Sequence, residues 1–334
     1  MSLSSSNPIQ PACRFDRSKS ASRVVRWAWL SFALGLVPAV LAAAENWTHW
    51  RGPHANGTAP LADPPTAWDG ASGKNIRWRT ELVGKGSATP IIWGDQVFIV
   101  SAEQTDRKAK PGEIPDPKDR VTPRKGYERQ TTEPTDFFRF IVTSYHRGTG
   151  KEIWRKVVAE LVPHEGHHAT HSYAAGSPTT DGERLYVSFG SFGIFCFDLN
   201  GKPLWERQLG RLTTRRGYGE AVTPVLHQGR LLINWDQEWD SALYCLDAKT
   251  GETKWKADRD EITTWTTPFV TEFNGKTQVI LNGTRSVRSH DLETGRVIWS
   301  CAGMTENAIP AALRYQDAAI ILSGYRGNSG VSVP

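Results

Sequence analysis

The stretch Leu243-Tyr-Cys-Leu-Asp-Ala-Lys-Thr-Gly-Glu-Thr-Lys-Trp255 is repeated, in variant form, three more times along the chain. The other copies are Ser144-Tyr-His-Arg-Gly-Thr-Gly-Lys-Glu-Ile-Trp154, Cys196-Phe-Asp-Leu-Asn-Gly-Lys-Pro-Leu-Trp205 and Ser289-His-Asp-Leu-Glu-Thr-Gly-Arg-Val-Ile-Trp299. In every copy a glycine is followed four residues later by a tryptophan. The tryptophan positions 154, 205, 255 and 299 are 51, 50 and 44 residues apart. A repeat of about 40–50 residues predicts the blades of a β-propeller.

The local chemistry of each copy predicts a hairpin. Apolar residues alternate before the turn, which is typical of a strand. The glycines of the four copies supply the positive φ that a tight turn needs, and they are Gly150, Gly201, Gly251 and Gly295. A large aromatic side chain on the last strand of a small sheet cannot be covered by its own sheet. We therefore predict that each sheet docks on the next through Trp154, Trp205, Trp255 and Trp299.

A second landmark precedes each tryptophan and completes the unit. Ala88-Thr-Pro90, Gly176-Ser-Pro178, Val222-Thr-Pro224 and Thr266-Thr-Pro268 each open an apolar run, followed by a turn pair and a second apolar run. Proline is tolerated at the first residue of a strand because no ladder N–H is lost there. Each unit is therefore predicted to contain two hairpins, which make four antiparallel strands.

Together, the Ser/Thr-Pro strand opening and the pattern Ala-x-Asp-x-x-Thr-Gly-x-x-x-Trp resemble the pyrroloquinoline quinone (PQQ) repeat. This repeat occurs in quinoprotein dehydrogenases and in BamB-type non-enzymatic envelope propellers. The segment Trp47-Thr-His-Trp-Arg-Gly-Pro53 also resembles the entry segment of secreted PQQ-like propellers. The resemblance covers about residues 47 to 325, and it is specific for the fold rather than for an activity.

The expected fold class is all-β: a β-propeller of four-stranded antiparallel blades. The predicted blades are 84–158, 171–209, 217–258, 263–302 and a partial fifth, 308–334. About five blades are fewer than the seven or eight that the resemblance implies. We therefore expect an incomplete ring, from a truncated or frameshifted reading frame or one that a second chain closes. An open ring would expose two sheet edges, which favours aggregation.

Three segments differ from the blades in composition. Residues 1–44 join a basic stretch, the fifteen-residue apolar run 27–41 and Ala42-Ala-Ala44, which predicts a cleaved signal peptide, with an uncleaved membrane anchor as the alternative. Residues 45–83 form the entry segment. Residues 103–136 are rich in charges and proline, and we expect an exposed, partly disordered insertion loop within the first blade. The mature chain is predicted to be exported, to the periplasm or beyond the cell, without a transmembrane span.

The net charge comes mostly from the leader. The whole chain carries 40 basic and 35 acidic residues, which gives +5. Residues 1–26 contain five basic residues and one acidic residue, so the leader contributes 5 − 1 = +4 and the mature part is near +1. Since no basic stripe with interleaved aromatic residues is present, the sequence argues against nucleic acid as a partner.

The three mature cysteines are predicted to be small buried side chains. Cys196 and Cys245 occupy the same position in successive repeats, two residues before the Asp. Equivalent positions of neighbouring blades should lie too far apart for a disulfide, whose Cα atoms must be within about 7 Å. Cys301 is the third of these cysteines.

A histidine-rich segment, Pro163-His-Glu-Gly-His-His-Ala-Thr-His171, follows the first blade. His164-Glu-x-x-His168 matches the zinc-protease pattern in spacing, but that mechanism needs a helix. Pro163, Gly166 and flanking strand signals argue against a helix. Three alternatives remain: a weak metal site with His164 and His168 as ligands, a ligand site on a loop, or imidazoles that hydrogen-bond neighbouring blades.

Long and chemically rich connections are all predicted on one face of the propeller, opposite the tight hairpins. We call this the loop face. Concentration of variable loops on one side is typical of the binding surface of a repeat fold, although solvated loops without a ligand are the alternative. The candidate ligand-binding residues on the loop face are His164, Glu165, His167, His168, His171, Arg215, Arg216, Glu220, Asp236, Glu238, Trp265, Asn282, Arg285 and Arg288.

The acidic segment Trp235-Asp-Gln-Glu-Trp-Asp240 is a weaker candidate for a cation site. Asp236, Glu238 and Asp240 offer oxygen ligands of the kind that Ca²⁺ prefers. Their spacing lacks the glycine and terminal glutamate of an EF-hand loop. The pairs Trp-Asp here are four residues apart, so they are not the signature of one blade each.

Two functions are compatible with the sequence. The favoured one is a non-catalytic binding or scaffold module that uses the loop face to bind an envelope protein, a glycan or a small ligand, since no nucleophile, base and orienting group stand at a recognisable spacing. The alternative is a PQQ-dependent dehydrogenase acting on an alcohol or sugar. The resemblance then implies a tryptophan as the stacking floor for PQQ, Ca²⁺ ligands and an Asp base. Trp265 is a candidate for the floor and Glu220, Asn282 or Asp236 for the Ca²⁺ ligands, but no motif marks any of them. The adjacent-cysteine disulfide that is usual in such pockets is missing from the sequence.

Overall fold

The computed structural model describes residues 45–115, 125–126, 128–302, 304–324, 326–327 and 329–333. The predicted signal peptide, 1–44, lies outside the described residues, so neither it nor the alternative of an uncleaved anchor is tested. Within the described residues, no helix is long and apolar enough to cross a membrane. Residues 44–334 form one compact unit.

Five antiparallel sheets follow one another along the chain. Sheet 1 contains β1 (Ile91–Trp93), β2 (Gln96–Lys108), β3 (Asp136–His146) and β4 (Glu152–Leu161). Sheet 2 contains β5 (Thr179–Thr180), β6 (Arg184–Ser188), β7 (Ile194–Asp198) and β8 (Pro203–Arg207). Sheet 3 contains β9 (Val225–His227), β10 (Arg230–Trp235), β11 (Ala242–Asp247) and β12 (Thr253–Asp258).

The last two sheets continue the series. Sheet 4 contains β13 (Phe269–Phe273), β14 (Lys276–Leu281), β15 (Ser286–Asp291) and β16 (Val297–Ala302). Sheet 5 has three strands, β17 (Leu313–Tyr315), β18 (Ala318–Leu322) and β19 (Gly330–Val333). Short 3-10 turns at Gly190–Phe192 and Arg215–Gly217 are the helical elements that the described residues contain. The prediction of an all-β, incomplete propeller of four-stranded blades is confirmed.

Hydrophobic cores lie between consecutive sheets. Phe98 and Phe140 of sheet 1 pack with Leu185 and Phe195 of sheet 2, and all four are buried. Corresponding clusters join sheets 2 and 3, sheets 3 and 4, and sheets 4 and 5. Full burial of such a side chain stabilises a fold by about 1.5–3 kcal/mol, so these clusters hold neighbouring sheets together.

The repeated tryptophans contact the turn glycines of the following sheet. A Cβ atom added to Gly201 would lie 2.7 Å from Trp154, and one added to Gly251 would lie 2.7 Å from Trp205. Each indole also donates its Nε1–H to a backbone carbonyl of the next turn: Trp154 to Leu199 at 2.9 Å and Trp205 to Ala248 at 3.0 Å. The glycines therefore serve two purposes, since they adopt a positive φ and leave room for the ring.

The third sheet docks in the same way, and the fourth uses a different hydrogen bond. Trp255 lies 2.6 Å from a Cβ built on Gly295 and donates to the Leu292 carbonyl. Trp299 donates to the Gln278 side chain of its own sheet at 3.0 Å. Its ring packs against the apolar cluster between sheets 4 and 5, as expected of a residue that docks one sheet on the next.

A docking tryptophan that the sequence pattern did not identify is Trp78, inside the predicted entry segment. Its Nε1–H donates to the Arg147 carbonyl at 2.8 Å, and a Cβ on Gly150 would lie 2.4 Å from its ring. Gly150 is thus the receiver of Trp78, as Gly201 is the receiver of Trp154. The segment around Trp78 therefore docks on the β3–β4 turn of sheet 1.

The predicted insertion 103–136 is shorter than expected at its first end. β2 continues to Lys108, where it pairs with Asp136 at the start of β3, so the two strands extend as a paired ribbon. The described part of the remaining connection returns to the loop face: Gln130 N–H donates to the Arg216 carbonyl at 2.9 Å, and Thr131 Oγ1 donates to the Gly217 carbonyl at 2.9 Å. Residues 116–124 lie outside the described residues.

Cys196, Cys245 and Cys301 are free thiols in the structure. Cys196 and Cys245 are fully buried in neighbouring sheets, where they fill small positions of two different cores. Burial raises the pKa of both thiols to about 12, so they behave as inert apolar side chains.

Candidate ligand-binding site

Carboxylates and hydroxyls link the connections between sheets on the loop face. Glu165, in the connection before β5, accepts hydrogen bonds from Thr214 N–H at 3.1 Å and Thr214 Oγ1 at 2.7 Å. Glu238 repeats this arrangement one sheet later, accepting from Thr263 Oγ1 at 2.8 Å. Because all four side chains are buried, these bonds tie successive sheets together rather than face a ligand.

Two of the predicted acids are buried carboxyl groups with raised pKa values. Burial raises the pKa of Glu165 to about 7, against the opposing effects of Thr214 and of Arg129, whose Nη2 lies 3.7 Å from Oε1. Burial also raises the pKa of Glu220 to about 8, and the nearby Glu165 adds to the effect. Glu220 Oε2 accepts the Ser191 N–H at 2.7 Å. Burial thus favours the protonated form of both carboxyl groups, while the hydrogen bonds that they accept favour the ionised form.

Asp236 is fully occupied by donors from its own and the next connection. Arg259 donates Nε–H to Oδ1 at 2.8 Å and Nη2–H to Oδ2 at 3.3 Å, and both side chains are completely buried. Thr264 Oγ1 donates to Oδ2 at 2.8 Å. Asp240, the third acid of the predicted cation site, is exposed and apart from this pair. The three acids therefore do not converge on a common point.

The remaining polar candidates of sheet 4 also have internal partners. Asn282 donates from Nδ2 to the carbonyls of Pro310 at 3.1 Å and Leu322 at 2.9 Å, so it joins sheet 4 to sheet 5. Arg288 Nη1 lies 3.2 Å from Glu261 Oε1, and Arg285 donates its backbone N–H to Glu261 Oε2 at 2.8 Å. The Arg285 guanidinium pairs with Asp260 at the surface.

The histidine segment is an irregular loop, not a helix. His164 is buried and its Nε2 hydrogen-bonds the Leu212 carbonyl at 2.7 Å. His171 Nε2 hydrogen-bonds the Glu220 carbonyl at 3.0 Å. These contacts match the expectation that the imidazoles bond neighbouring blades. Across the described residues, no group of three or more His, Cys, Asp or Glu side chains is placed to hold a metal ion.

His167 and His168 make different contacts from those of His164. His167 Nδ1 hydrogen-bonds the His168 carbonyl at 2.8 Å, and the His168 ring meets the Tyr218 ring edge to face at 5.3 Å. Burial, followed by the nearby His167 and His168, lowers the pKa of His171, while its bond to Glu220 opposes this. His171 is therefore neutral at physiological pH.

Part of the candidate set does converge, in a cleft of about 410 Å³ on the loop face. We call it the Trp265 cleft. Four connections between sheets supply its walls: the histidine loop, the β8–β9 and β12–β13 connections, and the segment before β17. The lining residues are His168, Thr170, His171, Arg215, Tyr218, Ala221, Trp265, Asn307 and Ile309.

Hydrogen bonds fix the aromatic wall of the Trp265 cleft. Trp265 donates Nε1–H to the Gly219 carbonyl at 2.8 Å, and its backbone N–H donates to the Ala308 carbonyl at 3.0 Å. Tyr218 donates its hydroxyl to Gln130 Oε1 at 2.6 Å. The indole is thus held by one neighbouring connection on each side, and Ile309 at the rim is 48% exposed.

One permanent charge lines the cleft. Arg215 is buried apart from its contact with the cleft, and its Nη1 lies 3.1 Å from Glu306 Oε2. Its backbone N–H donates to Thr263 Oγ1 at 2.9 Å. Arg216 has a positive φ of 56°. Its carbonyl accepts a hydrogen bond from the backbone N–H of Gln130 in the insertion.

Sequence reasoning had selected Trp265, His168, His171 and Arg215 but not Tyr218, Asn307 or Ile309. Asn307 stands three residues before Pro310, which is the position that Trp265 holds before Pro268, and Ile309 stands one residue before Pro310. The residue three places before a strand-opening proline therefore carries a usable signal. No sequence pattern marks Tyr218, because the position of its side chain depends on the backbone kink at Arg216.

The family relationship was established by comparison with known proteins. A family model described as "Outer membrane protein assembly factor BamB" matches residues 139–320, more than half of the chain. The chain belongs to this family. No curated protein sequence matches it.

Two solved structures illustrate what this BamB-family chain is similar to. BamB from Moraxella catarrhalis shares 16% identity and a TM-score of 0.38 over 61% of this chain and 56% of its own. Quinohemoprotein alcohol dehydrogenase from Comamonas testosteroni shares 12% identity and a TM-score of 0.45 over 85% of this chain and 47% of its own. The BamB-family chain spans about half the length of each.

The residues suggested as Ca²⁺ ligands already have protein partners in this BamB-family chain. Asp236 is saturated by Arg259 and Thr264, and the Asn282 amide is bonded to two carbonyls. Glu220 Oε2 accepts the Ser191 N–H at 2.7 Å. Each suggested ligand therefore already has a structural role.

Proposed function

We propose that this protein is an exported, non-catalytic propeller that binds a protein partner through the Trp265 cleft. The observation that carries the proposal is the cleft itself, where side chains from four connections meet around a fixed indole ring. Aromatic and arginine side chains in a concave, partly apolar site are typical of protein–protein hot spots. Export rests on the leader-like composition of residues 1–44.

The shape of the cleft favours an extended protein segment with an apolar side chain. Trp265, Tyr218 and Ile309 provide the apolar walls, and Arg215 and Thr170 provide polar groups beside them. A volume of about 410 Å³ accommodates one or two side chains, not a folded domain. The scaffold role follows because each wall is held by hydrogen bonds between sheets, so the cleft needs little reorganisation to bind.

The proposal is tested by photocrosslinking from the rim of the cleft. A photoreactive amino acid at Ile309 should capture a specific protein from the cell envelope of the source organism. The same amino acid at Val157 serves as the matched control, since Val157 is 52% exposed on an outer strand. The captured protein is then purified, and its affinity is measured for the wild type and for Trp265→Ala.

A tenfold or greater loss of affinity in Trp265→Ala is expected, together with crosslinking at position 309 only. Equal crosslinking at both positions, or unchanged affinity in the variant, would contradict binding at the cleft. A parallel assay titrates the protein with PQQ and Ca²⁺ and follows dye-linked alcohol oxidation. Stoichiometric quinone binding with turnover would replace the proposal by a dehydrogenase function.

A further inference from the structure

The entry segment crosses the innermost strands of the sheets. Trp47 pairs with Ile92 of β1 through two backbone hydrogen bonds of 2.9 and 2.8 Å. The Thr48 carbonyl then accepts hydrogen bonds from Thr180 N–H and Thr179 Oγ1 of β5, both at 3.1 Å. These bonds place residues 48–55 against the inner strands of the sheets that follow.

A cavity of about 290 Å³ lies beneath this segment, and we call it the Arg51 cavity. Its walls come from the entry segment and from the first strands of four consecutive sheets: residues 48–55, Thr179, Thr180, Val225–His227, Pro268–Val270, Ala311 and Ala312. Thr180 and His227 are the last residues of β5 and β9, directly before the tight turns. Pro268 precedes β13, and Ala311 and Ala312 precede β17, so the lining extends along the inner strands towards the loop face as well.

The polar side chains that line the cavity are cations or hydrogen-bond donors, and no carboxylate is among them. The Arg51 guanidinium lies over the Trp50 ring, with Cζ 4.4 Å from the ring centroid. Among the described residues it has no ion-pair partner, and its Nη1 is buried without a hydrogen-bond acceptor. Glu45 pairs with His54 at 3.1 Å instead. A guanidinium carries its charge at every physiological pH, so the charge stays uncompensated by the protein.

His49 supplies a second unmatched donor. Its Nδ1 accepts the Arg51 backbone N–H at 3.3 Å, which puts the ring proton on Nε2. That Nε2 is also buried without a partner. Burial, followed by the charge of Arg51, lowers the pKa of His49 to about 4, so the ring is neutral. Two N–H groups of the entry segment, on His49 and on Arg51, thus lack acceptors.

A buried donor without an acceptor is destabilising, and more so when it is charged. An anion in the cavity would supply an acceptor and neutralise the charge of Arg51, which is half-buried. The opposite side of the cavity is apolar, since Leu226, Phe269 and Val270 line it. A ligand that matches both sides has an anionic head and a small apolar body.

We propose that the Arg51 cavity binds a small organic carboxylate, whose carboxylate accepts hydrogen bonds from Arg51 and His49 while its carbon skeleton packs on Leu226 and Phe269. Arginine binds a carboxylate through two parallel N–H donors, and stacking on Trp50 fixes the plane of the guanidinium for this contact. The volume of about 290 Å³ limits the ligand to about the size of a single ring. This site is independent of the partner proposed for the Trp265 cleft.

Calorimetric titration of the purified mature protein with benzoate tests the proposal. Benzamide has the same shape without the charge, acetate has the charge without the ring, and inorganic phosphate has a charge of different geometry. All titrations are made at one ionic strength, because salt screens the attraction. We expect benzoate to bind at least tenfold more tightly than each of the other three.

Variants separate the charge from the fold. Arg51→Gln should weaken benzoate binding tenfold or more, and Arg51→Lys should restore only part of it, since Lys lacks the planar pair of donors. Arg314→Gln is the matched control, because Arg314 also lies over an aromatic ring, Phe273, at 5.4 Å, but at an exposed site. It should leave benzoate binding unchanged.

The comparison of benzoate with benzamide in the wild-type protein needs no variant, so it decides the question even where Arg51→Gln fails to fold. Equal affinities for the two would overturn the role of the charge. Phosphate binding as tight as benzoate binding would overturn the organic part of the proposal. Unchanged benzoate affinity in a folded Arg51→Gln protein would place the ligand elsewhere.

Discussion

Asp236 and Arg259 form a two-point ion pair in which neither side chain reaches solvent. Arg259 follows β12 directly and Asp236 follows β10, so the pair closes the loop end of sheet 3. Arg259 also donates to the Asn282 carbonyl of sheet 4 at 3.4 Å. Asp236, which the sequence suggested as a metal ligand, is thus a buried anion whose charge Arg259 neutralises.

We predict that Arg259→Leu lowers the free energy of unfolding by about 3–5 kcal/mol, because it leaves the Asp236 charge buried without a partner. Urea denaturation measures the effect. Arg285→Leu is the control, since Arg285 pairs with Asp260 at the surface, where such pairs contribute about 0–1 kcal/mol. Similar losses in the two variants would show that the buried pair is not required.

A second prediction follows from the contact of Trp205 with Gly251. Gly251 and Gly275 both sit in hairpin turns with positive φ, 74° and 69°, but only Gly251 has a ring in the space of its missing Cβ. Gly275→Ala should cost about 1–2 kcal/mol from the left-handed backbone alone. Gly251→Ala should cost about 1–3 kcal/mol more, because the methyl group would displace Trp205. Equal midpoints in urea for the two variants would contradict docking by the indole ring.

The fold was predictable because its decisive contacts recur at a fixed interval. Gly-x-x-x-Trp marks the last hairpin of a sheet wherever the spacing is strict. Trp78 escaped the pattern because Gly73 precedes it by five residues instead of four. Asp69 nevertheless accepts the backbone N–H groups of Ala71 and Ser72, as Asp247 does for Lys249 and Thr250. One inserted residue was enough to hide a fifth copy.

The polar candidates were less predictable, because their partners are distant in sequence. Glu165 and Thr214 are 49 residues apart, and Asp236 and Arg259 are 23 apart. The sequence shows that such acids are present. It does not show whether a neighbouring sheet supplies the group that donates a hydrogen bond to each of them. Arg51 shows the converse: its motif suggested only an entry segment, and its lack of a partner appears only when the chain is folded.

The buried acids and histidines predict how stability varies with pH. His49 and His290 have pKa values lowered to about 4, mainly by burial, so between pH 4 and 6.5 the unfolded chain binds more protons and stability rises with pH. Glu165 and Glu220 act oppositely from pH 4.5 upward, because their raised pKa values keep protons on the native state. The two effects roughly cancel up to pH 6.5. Above it the glutamates act alone.

We therefore expect the free energy of unfolding to fall by about 2 kcal/mol between pH 6.5 and 8, at about 1.4 kcal/mol per pH unit for each retained proton. Glu220→Gln should remove more than half of this fall, since the amide oxygen can still accept the Ser191 N–H. Glu183→Gln, at an exposed position, should not alter it. A pH profile that Glu220→Gln leaves unchanged would show that this carboxyl is ionised at pH 6.5.

Asn282 makes the last prediction, which concerns the attachment of sheet 5. This sheet has three strands, and one face carries Leu313, Tyr315 and Leu322, which are 37%, 66% and 49% exposed. Its contacts with sheet 4 include one apolar cluster and the two hydrogen bonds from the Asn282 amide. Asn282→Ala removes a donor from the carbonyls of Pro310 and Leu322 and should cost about 1–3 kcal/mol.

The loss should be local. Hydrogen exchange of β18 should accelerate in Asn282→Ala, while exchange in sheet 1 stays as in the wild type, because sheets that share no cluster open independently. Thr266→Val is the control, since Thr266 Oγ1 also donates to the Pro310 carbonyl, at 3.1 Å, but does not reach Leu322. It should affect β18 less than Asn282→Ala does. If both variants accelerate exchange in all five sheets equally, the propeller unfolds as a single cooperative unit and Asn282 is not a specific attachment for its last sheet.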